Sequence, residues 1–367
     1  MEKKILPNVG DLGRILIIHA IYHRTWDVYN YHRERLSSWA PTARIESIAS
    51  IPSQAENWLP SIPAVSRWRN IACDALDILH WSANSVIAAA QGLEPPIVLH
   101  LHLSRLILLT PVIQIRRLVS SMLAKSSEQS RSSQPNPLGR KNDIETRNEI
   151  WRWISQDQYK ARLSIIHAGA IFWNIRRYSY SGPIEPFTIY LATLVIWAYG
   201  TFAGVSMRRR RHIESSSGNV TTSLEVMQNE ISTTNANISC PPPEYNSTTP
   251  SPGRSPSPDP SFLHLDRPID DDLVQTYVRQ GHKMTGNMGR IGDICEASAP
   301  AKILREGAKI LNMRERGNRD SSRQDDEYST GNAVTDGRVT WGVADKFQNL
   351  LERLATVVES QDLELEH

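Results

Sequence analysis

Residues 187–207 read FTIYLATLVIWAYGTFAGVSM, and residues 208–211 are four consecutive arginines. The stretch carries no charge and, as a helix, is long enough to cross the roughly 30 Å hydrocarbon core of a bilayer. Arginines on its C-terminal side fit a cytosolic stop. A helix buried on all sides of a large core has the same apolar composition. Thr188, Tyr190, Thr193, Tyr199, Thr201 and Ser206 dilute the hydrophobicity, and Gly200 and Gly204 suit close helix contacts. Those residues favour the core helix, with the arginines marking where folded core gives way to linker.

Sequons at Asn219, Asn237 and Asn246 follow the stretch. An anchor oriented by its arginines would leave these sequons in the cytosol, where no glycosylation occurs. The opposite orientation would require the arginine tract to be translocated. The sequence holds no second stretch of this kind to relieve either difficulty.

Around this segment the pattern is helical. Leu12, Ile15, Leu16, His19, Tyr22, Trp26 and Tyr29 recur at spacings of three and four, predicting one apolar helix face. Trp68, Ile71, Ala75, Leu79, Ser82 and Val86 predict a second helix, ending near Gly92. Paired prolines start the next run, which Pro111 breaks into two helices. Trp151, Ile154, Leu163, Ile166 and Ile171 restore the spacing after a polar loop at 125–142, and SYSGPIEP forms a turn. Phe347, Leu350, Leu351, Leu354, Val357 and Val358 line one face of an amphipathic C-terminal helix. No alternating strand pattern and no internal repeat appears, so the expected class is all-α: a multi-helix domain interrupted by disordered linkers.

Composition divides the chain. It has 26 basic and 15 acidic residues up to Arg211, against 15 and 24 after it. Residues 1–206 form the first helical part, and 207–260 a basic and then Ser/Thr/Pro-rich linker too poor in aliphatic residues to order itself. Residues 261–367 form a second helical part, with a disordered insert at about 312–338. Thr249, Ser251, Ser255 and Ser257 each precede a proline and are candidate phosphorylation sites. Arg208, Arg209, Arg210 and Arg211 form a basic patch that suits nuclear import, nucleic-acid contact or a solvated helix end.

Catalytic and metal signatures are sparse. Cys73, Cys240 and Cys295 contain no Cys-x-x-Cys pair, which excludes the common zinc modules and points to a reducing compartment. Pro7, Gly10, Asp11 and Arg14 interrupt the N-terminus, so no signal peptide is expected. There is no Gly-rich phosphate loop, nucleophile elbow or His-Glu-x-x-His pattern. His19, His23 and Asp27, with His32 nearby, have a loose metal-like spacing, but no catalytic carboxylate sits between the histidines, and half-exposed residues beside an apolar face explain the pattern better. Asp74, Asp77 and His80 lie on adjacent turns, as a dyad or as polar groups paired with Arg67 or Arg69. His100, His102 and His167 sit in apolar runs and read as satisfied core histidines. Trp151, Trp153, Trp173 and Trp197 could line a pocket and more simply form core. The chain reads as a non-enzyme with no cofactor of its own.

Three blocks are similar to consecutive segments of one family. They are WRNIACDALDILHWSANSVIAAAQGLEPPIVLHLHLSRLILLTP (68–111), ARLSIIHAGAIFWNIRRYSYSGPIEPFTIYLATLVIWAYG (161–200) and HLDRPIDDDLVQTYVRQGHKMTGNMGRIGDICEASAPAKILREGAKIL (264–311). They resemble the fungal-specific transcription factor domain, the middle regulatory region of fungal zinc-finger activators, over about residues 11–120, 147–205 and 261–350. The resemblance implies an all-helical regulatory domain in a nuclear regulator of RNA polymerase II transcription. Its partners would be the transcription machinery or co-regulator proteins, with a homodimer as a further option and no membrane. In that family DNA is read by an N-terminal zinc module, which this sequence lacks. DNA contact and zinc are therefore expected only through a module outside these residues, and the chain reads as a truncated regulator, a fragment or an incomplete gene product. The alternative is a single-pass membrane protein anchored by residues 187–207.

Overall fold

The computed structural model describes residues 9–33, 62–128, 137–180, 182–216, 262–268, 270–281, 283–324 and 342–365. Among them the fold is all-α. In the first part are α1 (Asp11–Arg33), α2 (Pro63–Ala89), α3 (Pro96–Leu109), α4 (Val112–Glu128), α5 (Pro137–Gln156), α6 (Gln158–Tyr178) and α7 (Ile184–Ser216). In the second are β1 (Phe262–His264), α8 (Asp271–Gln280), β2 (Thr285–Met288), β3 (Gly292–Asp293), α9 (Ala299–Gln324) and α10 (Val343–Leu365).

The opening stretch is the centre of this arrangement. α7 touches α3, α4, α5 and α6 from the first part and α9 and α10 from the second. Ile189, Leu191, Ala192, Leu194, Val195, Ile196, Trp197 and Ala198 are essentially inaccessible to solvent. The hydroxyls of Thr188, Thr193, Thr201 and Ser206 donate to the carbonyls of Ile184, Ile189, Trp197 and Phe202 at 2.8, 2.7, 2.8 and 3.0 Å. These four hydroxyls are thus satisfied within their own helix. Glu185 holds the SYSGPIEP turn, accepting from the Tyr180 and Gly182 amides at 2.9 and 3.1 Å and from the Ser179 hydroxyl at 2.8 Å. A carboxylate there also complements the positive end of α7.

The second part closes on α7 through close backbone contact. Gly200 faces the Ile294 carbonyl, Gly204 faces the Cys295 carbonyl, and Gly307 of α9 faces the Thr193 side chain. Tyr190 stacks on Phe347 of α10, ring centroids 4.3 Å apart. The expected inward face of α10 is the observed one: Leu351, Leu354, Val357 and Val358 are buried, and Phe347 and Leu350 pack against the same core.

α3 joins two cores. Leu99, Leu103 and Leu106 enter the large core around α7, while Ile97, Val98, Leu101 and Leu108 enter a smaller one with Ile18 of α1 and Ala72, Leu76, Leu79 and Ala83 of α2. Pro111 separates α3 from α4 with a bend of 79°. Gly92, at φ 91°, ends the turn after α2, a conformation that suits a residue without Cβ.

Several sequence expectations shift. α1 turns Ile18 and Thr25 inward and leaves Leu12, Leu16 and Trp26 exposed, and α2 buries Val65, Arg69, Ala72 and Leu76 while Ile71 and Val86 face outward. The buried face of α2 carries Arg69, which pairs with Asp157 at 2.8 Å, among Val65, Ala72, Leu76, Leu79 and Ala83. A small sheet of order β1-β2-β3 is also present, β1 parallel and β3 antiparallel to β2. Its strands are two to four residues long, too short for a period-two signal. α7 continues past 206 through Arg208–Arg211, and the α9 backbone continues into the 312–338 stretch as far as Gln324.

Candidate functional site

The densest group of titratable side chains lies where α2, α3 and α6 meet. Asp77 and His80 occupy one face of α2 at i, i+3, and His102 and Arg105 do the same on α3. His167 projects from α6. Arg105 donates to Asp77 and to His80 Nδ1, the latter at 2.7 Å. His102 Nδ1 and His167 Nδ1 are 3.1 Å apart. The His80 and His102 rings meet edge to face with centroids 5.3 Å apart, and His102 and His167 repeat that spacing at a tilt of 39°.

The protonation pattern follows from donor chemistry. A guanidinium only donates, so His80 Nδ1 is the acceptor and its neutral ring carries hydrogen on Nε2. In the His102–His167 pair one Nδ1 donates and the other accepts, so the rings hold opposite tautomers. Burial, reinforced by Arg105, lowers His80 from 6.5 to about 4. His102 and His167 are also held well below the ordinary range, first by burial and then by the neighbouring His80 and Arg105. At neutral pH the site is three uncharged imidazoles beside one guanidinium, whose counterion, Asp77, has a side chain 67% exposed.

This grouping differs from the expected one. Asp77 and His80 pair with Arg105 rather than with Arg67 or Arg69; Arg69 is engaged by Asp157. His102 and His167 satisfy each other. His100 instead leaves its Nδ1 without a hydrogen-bond partner, against the ring of His19. Arg105 is the residue that sequence reasoning misses, although a single charge inside the run LHLSRLILL is itself the signal of a buried pair.

The other candidates separate. His23 and Asp27 form a surface contact at 3.3 Å, while His19 turns toward Tyr22 and His100. Among the described residues no cluster of three His, Cys, Asp or Glu is placed to hold a metal ion. Trp153 is buried and donates to the Leu109 carbonyl at 2.9 Å, Trp197 is core, Trp151 is exposed, and Trp173 lies under Arg177 at 5.4 Å. Arg208 is exposed and donates to the Cys295 carbonyl at 3.3 Å. Arg209, Arg210 and Arg211 continue the α7 backbone, and their side chains lie outside the described residues. His32, Thr249, Ser251, Ser255, Ser257 and the three sequons likewise lie outside the described side chains.

A second polar junction fastens the two parts together. Arg176 of α6 reaches Asp266, in the turn after β1, and Glu306 of α9 at 2.5 and 2.9 Å. Asp266 also accepts from the Gly289 amide at 3.0 Å, and Arg290 approaches Glu306 at 3.5 Å. Arg162 of α6 donates to the Val278 carbonyl at 2.8 Å, satisfying the C-terminal end of α8. Compared with protein-family models, with curated proteins and with solved structures, the chain finds no match in any of the three.

Proposed function

We propose that the chain is the helical regulatory domain of a fungal transcription regulator, acting in the nucleus through co-regulator or transcription-machinery contacts and without catalysis of its own. The observation that carries the reading is the packing of α7. The three blocks that resemble the family's regulatory region, 68–111, 161–200 and 264–311, are all folded around that one helix or its neighbours. The long segment between 200 and 264 does not divide the second and third blocks into separate cores. Direct DNA reading is not assigned to these residues.

The membrane alternative rests on the length and apolarity of Ile184–Arg208, whose mean hydropathy of 1.5 meets the requirement for a span. Within the fold 83% of its most apolar window is buried by protein, which supports a core helix over a lipid-facing one. Fusing the full chain to a heterologous DNA-binding module is expected to change transcription of a matched reporter. A version with Arg208–Arg211 replaced by alanine, without the fused module, is expected to lose nuclear accumulation. A chain that stays with membranes after carbonate extraction, or a fusion with no effect on the reporter, overturns the reading. Purified protein is expected to carry no stoichiometric zinc; one tightly bound zinc per chain by elemental analysis would refute that.

A further inference from the structure

The geometry points to an acid-sensitive clasp. We propose that the Arg105–His80 contact, closed over the His102–His167 pair, holds α2 against α3 only while the His80 ring is uncharged, and that mild acid releases α2 with the α7-centred core still folded.

The argument starts from the charges that face the row. From α2 come Asp77, His80 and Cys73; from α3, His102 and Arg105; from α6, His167. Further along the same junction Lys160 meets Asn70 at 3.0 Å, and Arg69 meets Asp157. Among the described residues the carboxylate beside the row is Asp77, which is already bonded to Arg105 and lies mostly in water. A proton on any of the three rings would therefore add a second positive charge beside a buried guanidinium, with no further anion at the row to take it up. At His80 it would also break a bond, since a protonated His80 cannot accept from Arg105, and a proton on the acceptor Nδ1 of the His102–His167 pair would aim two donors at each other.

The consequence is local because of the two-core arrangement. α2 contributes its apolar face to the small core with α1 and α3, and none of its buried residues belongs to the core around α7. The α1–α3 contact carries a further histidine pair, His19 and His100, and His100 is lowered by burial and then by His19. Loss of α2 would uncover Ile97, Val98, Leu101 and Leu108 of α3. Acid would in this way turn a covered apolar face into an accessible one.

The direction with pH follows from linkage. Closed rings resist protonation down to about 4 for His80, whereas released rings take up protons from about 6.5. The opened form therefore gains as pH falls below 6.5, by about 20-fold through the His80 ring between pH 7 and pH 5.

Hydrogen exchange of the full chain at pH 7, 6 and 5, corrected for intrinsic exchange rates, tests the clasp. Peptides of α2 are expected to lose at least about 20-fold protection over that range, while those of α7 and α9 keep theirs. His80→Gln keeps an acceptor for Arg105 but cannot be protonated, and is expected to reduce the pH dependence of α2 opening by about one proton. A flat α2 profile, simultaneous opening of α7 and α9, or selective opening unchanged in His80→Gln each overturns the proposal.

Discussion

Gly200→Ala is expected to lower the stability of the chain by about 3–5 kcal/mol, a large loss for adding one methyl group. A Cβ at this position would lie 2.1 Å from the Ile294 carbonyl oxygen, and the atom it meets belongs to backbone. No rotamer change relieves that contact. Either α7 bends or the 294–295 turn withdraws, and withdrawal strains the neighbouring close approaches of Gly204 to Cys295 and of Gly307 to Thr193. Alanine's better helix propensity returns only about 1 kcal/mol. Gly169→Ala should behave similarly, because its Cβ would lie 2.1 Å from the Leu265 carbonyl oxygen. Gly10, where an added Cβ would meet nothing within 4 Å, is the control and should change little on substitution by alanine. Urea denaturation followed by far-UV circular dichroism measures the difference. A Gly200→Ala protein within about 0.5 kcal/mol of the parent would mean that the two parts do not meet in backbone contact at α7.

The readable parts of this fold are those governed by local rules. Pro111 has to break its helix, Gly92 suits the turn after α2, and the apolar stripe from Phe347 to Val358 has one obvious inward side. The stretch 187–207 is legible as a helix but ambiguous in its surroundings, since lipid and protein core impose the same composition. Its glycines carry the distinguishing information: Gly200 and Gly204 lie one turn apart and meet successive carbonyls of one segment.

The faces of α1 and α2 are not legible in the same way. Each helix offers apolar residues on more than one row, and the row that is buried is set by neighbours distant in sequence. The buried side of α2 meets Ile18 of α1 and Ile97, Leu101 and Leu108 of α3, Arg69 meets Asp157, 88 residues away, and Trp68 donates to Thr25 at 3.0 Å across the α1–α2 contact. The candidate site is half legible for a related reason. Each histidine can be located in an apolar run, but pairing His102 with His167 needs α3 and α6 to be adjacent. That adjacency is a property of the fold and leaves no trace in local spacing.

Asp266→Ala is expected to cost about 2–3 kcal/mol, because it removes a buried acceptor at the point where the two parts of the chain join. Asp266 is buried and takes two kinds of donor: the Arg176 guanidinium from α6 and the Gly289 amide from the β2–β3 turn. Alanine strands the Gly289 amide and leaves the Arg176 guanidinium with Glu306 alone. Asp266→Asn should cost less, since its carbonyl still accepts from Gly289 while the charge opposite Arg176 is lost. The order of stabilities expected by urea denaturation is parent, Asp266→Asn and Asp266→Ala. Limited proteolysis should register the same order as increasing cleavage between β1 and β3. If Asp266→Ala instead unfolds within about 1 kcal/mol of the parent, the junction is not ionic in origin. The glycine contacts along α7 would then have to hold the second part in place by themselves.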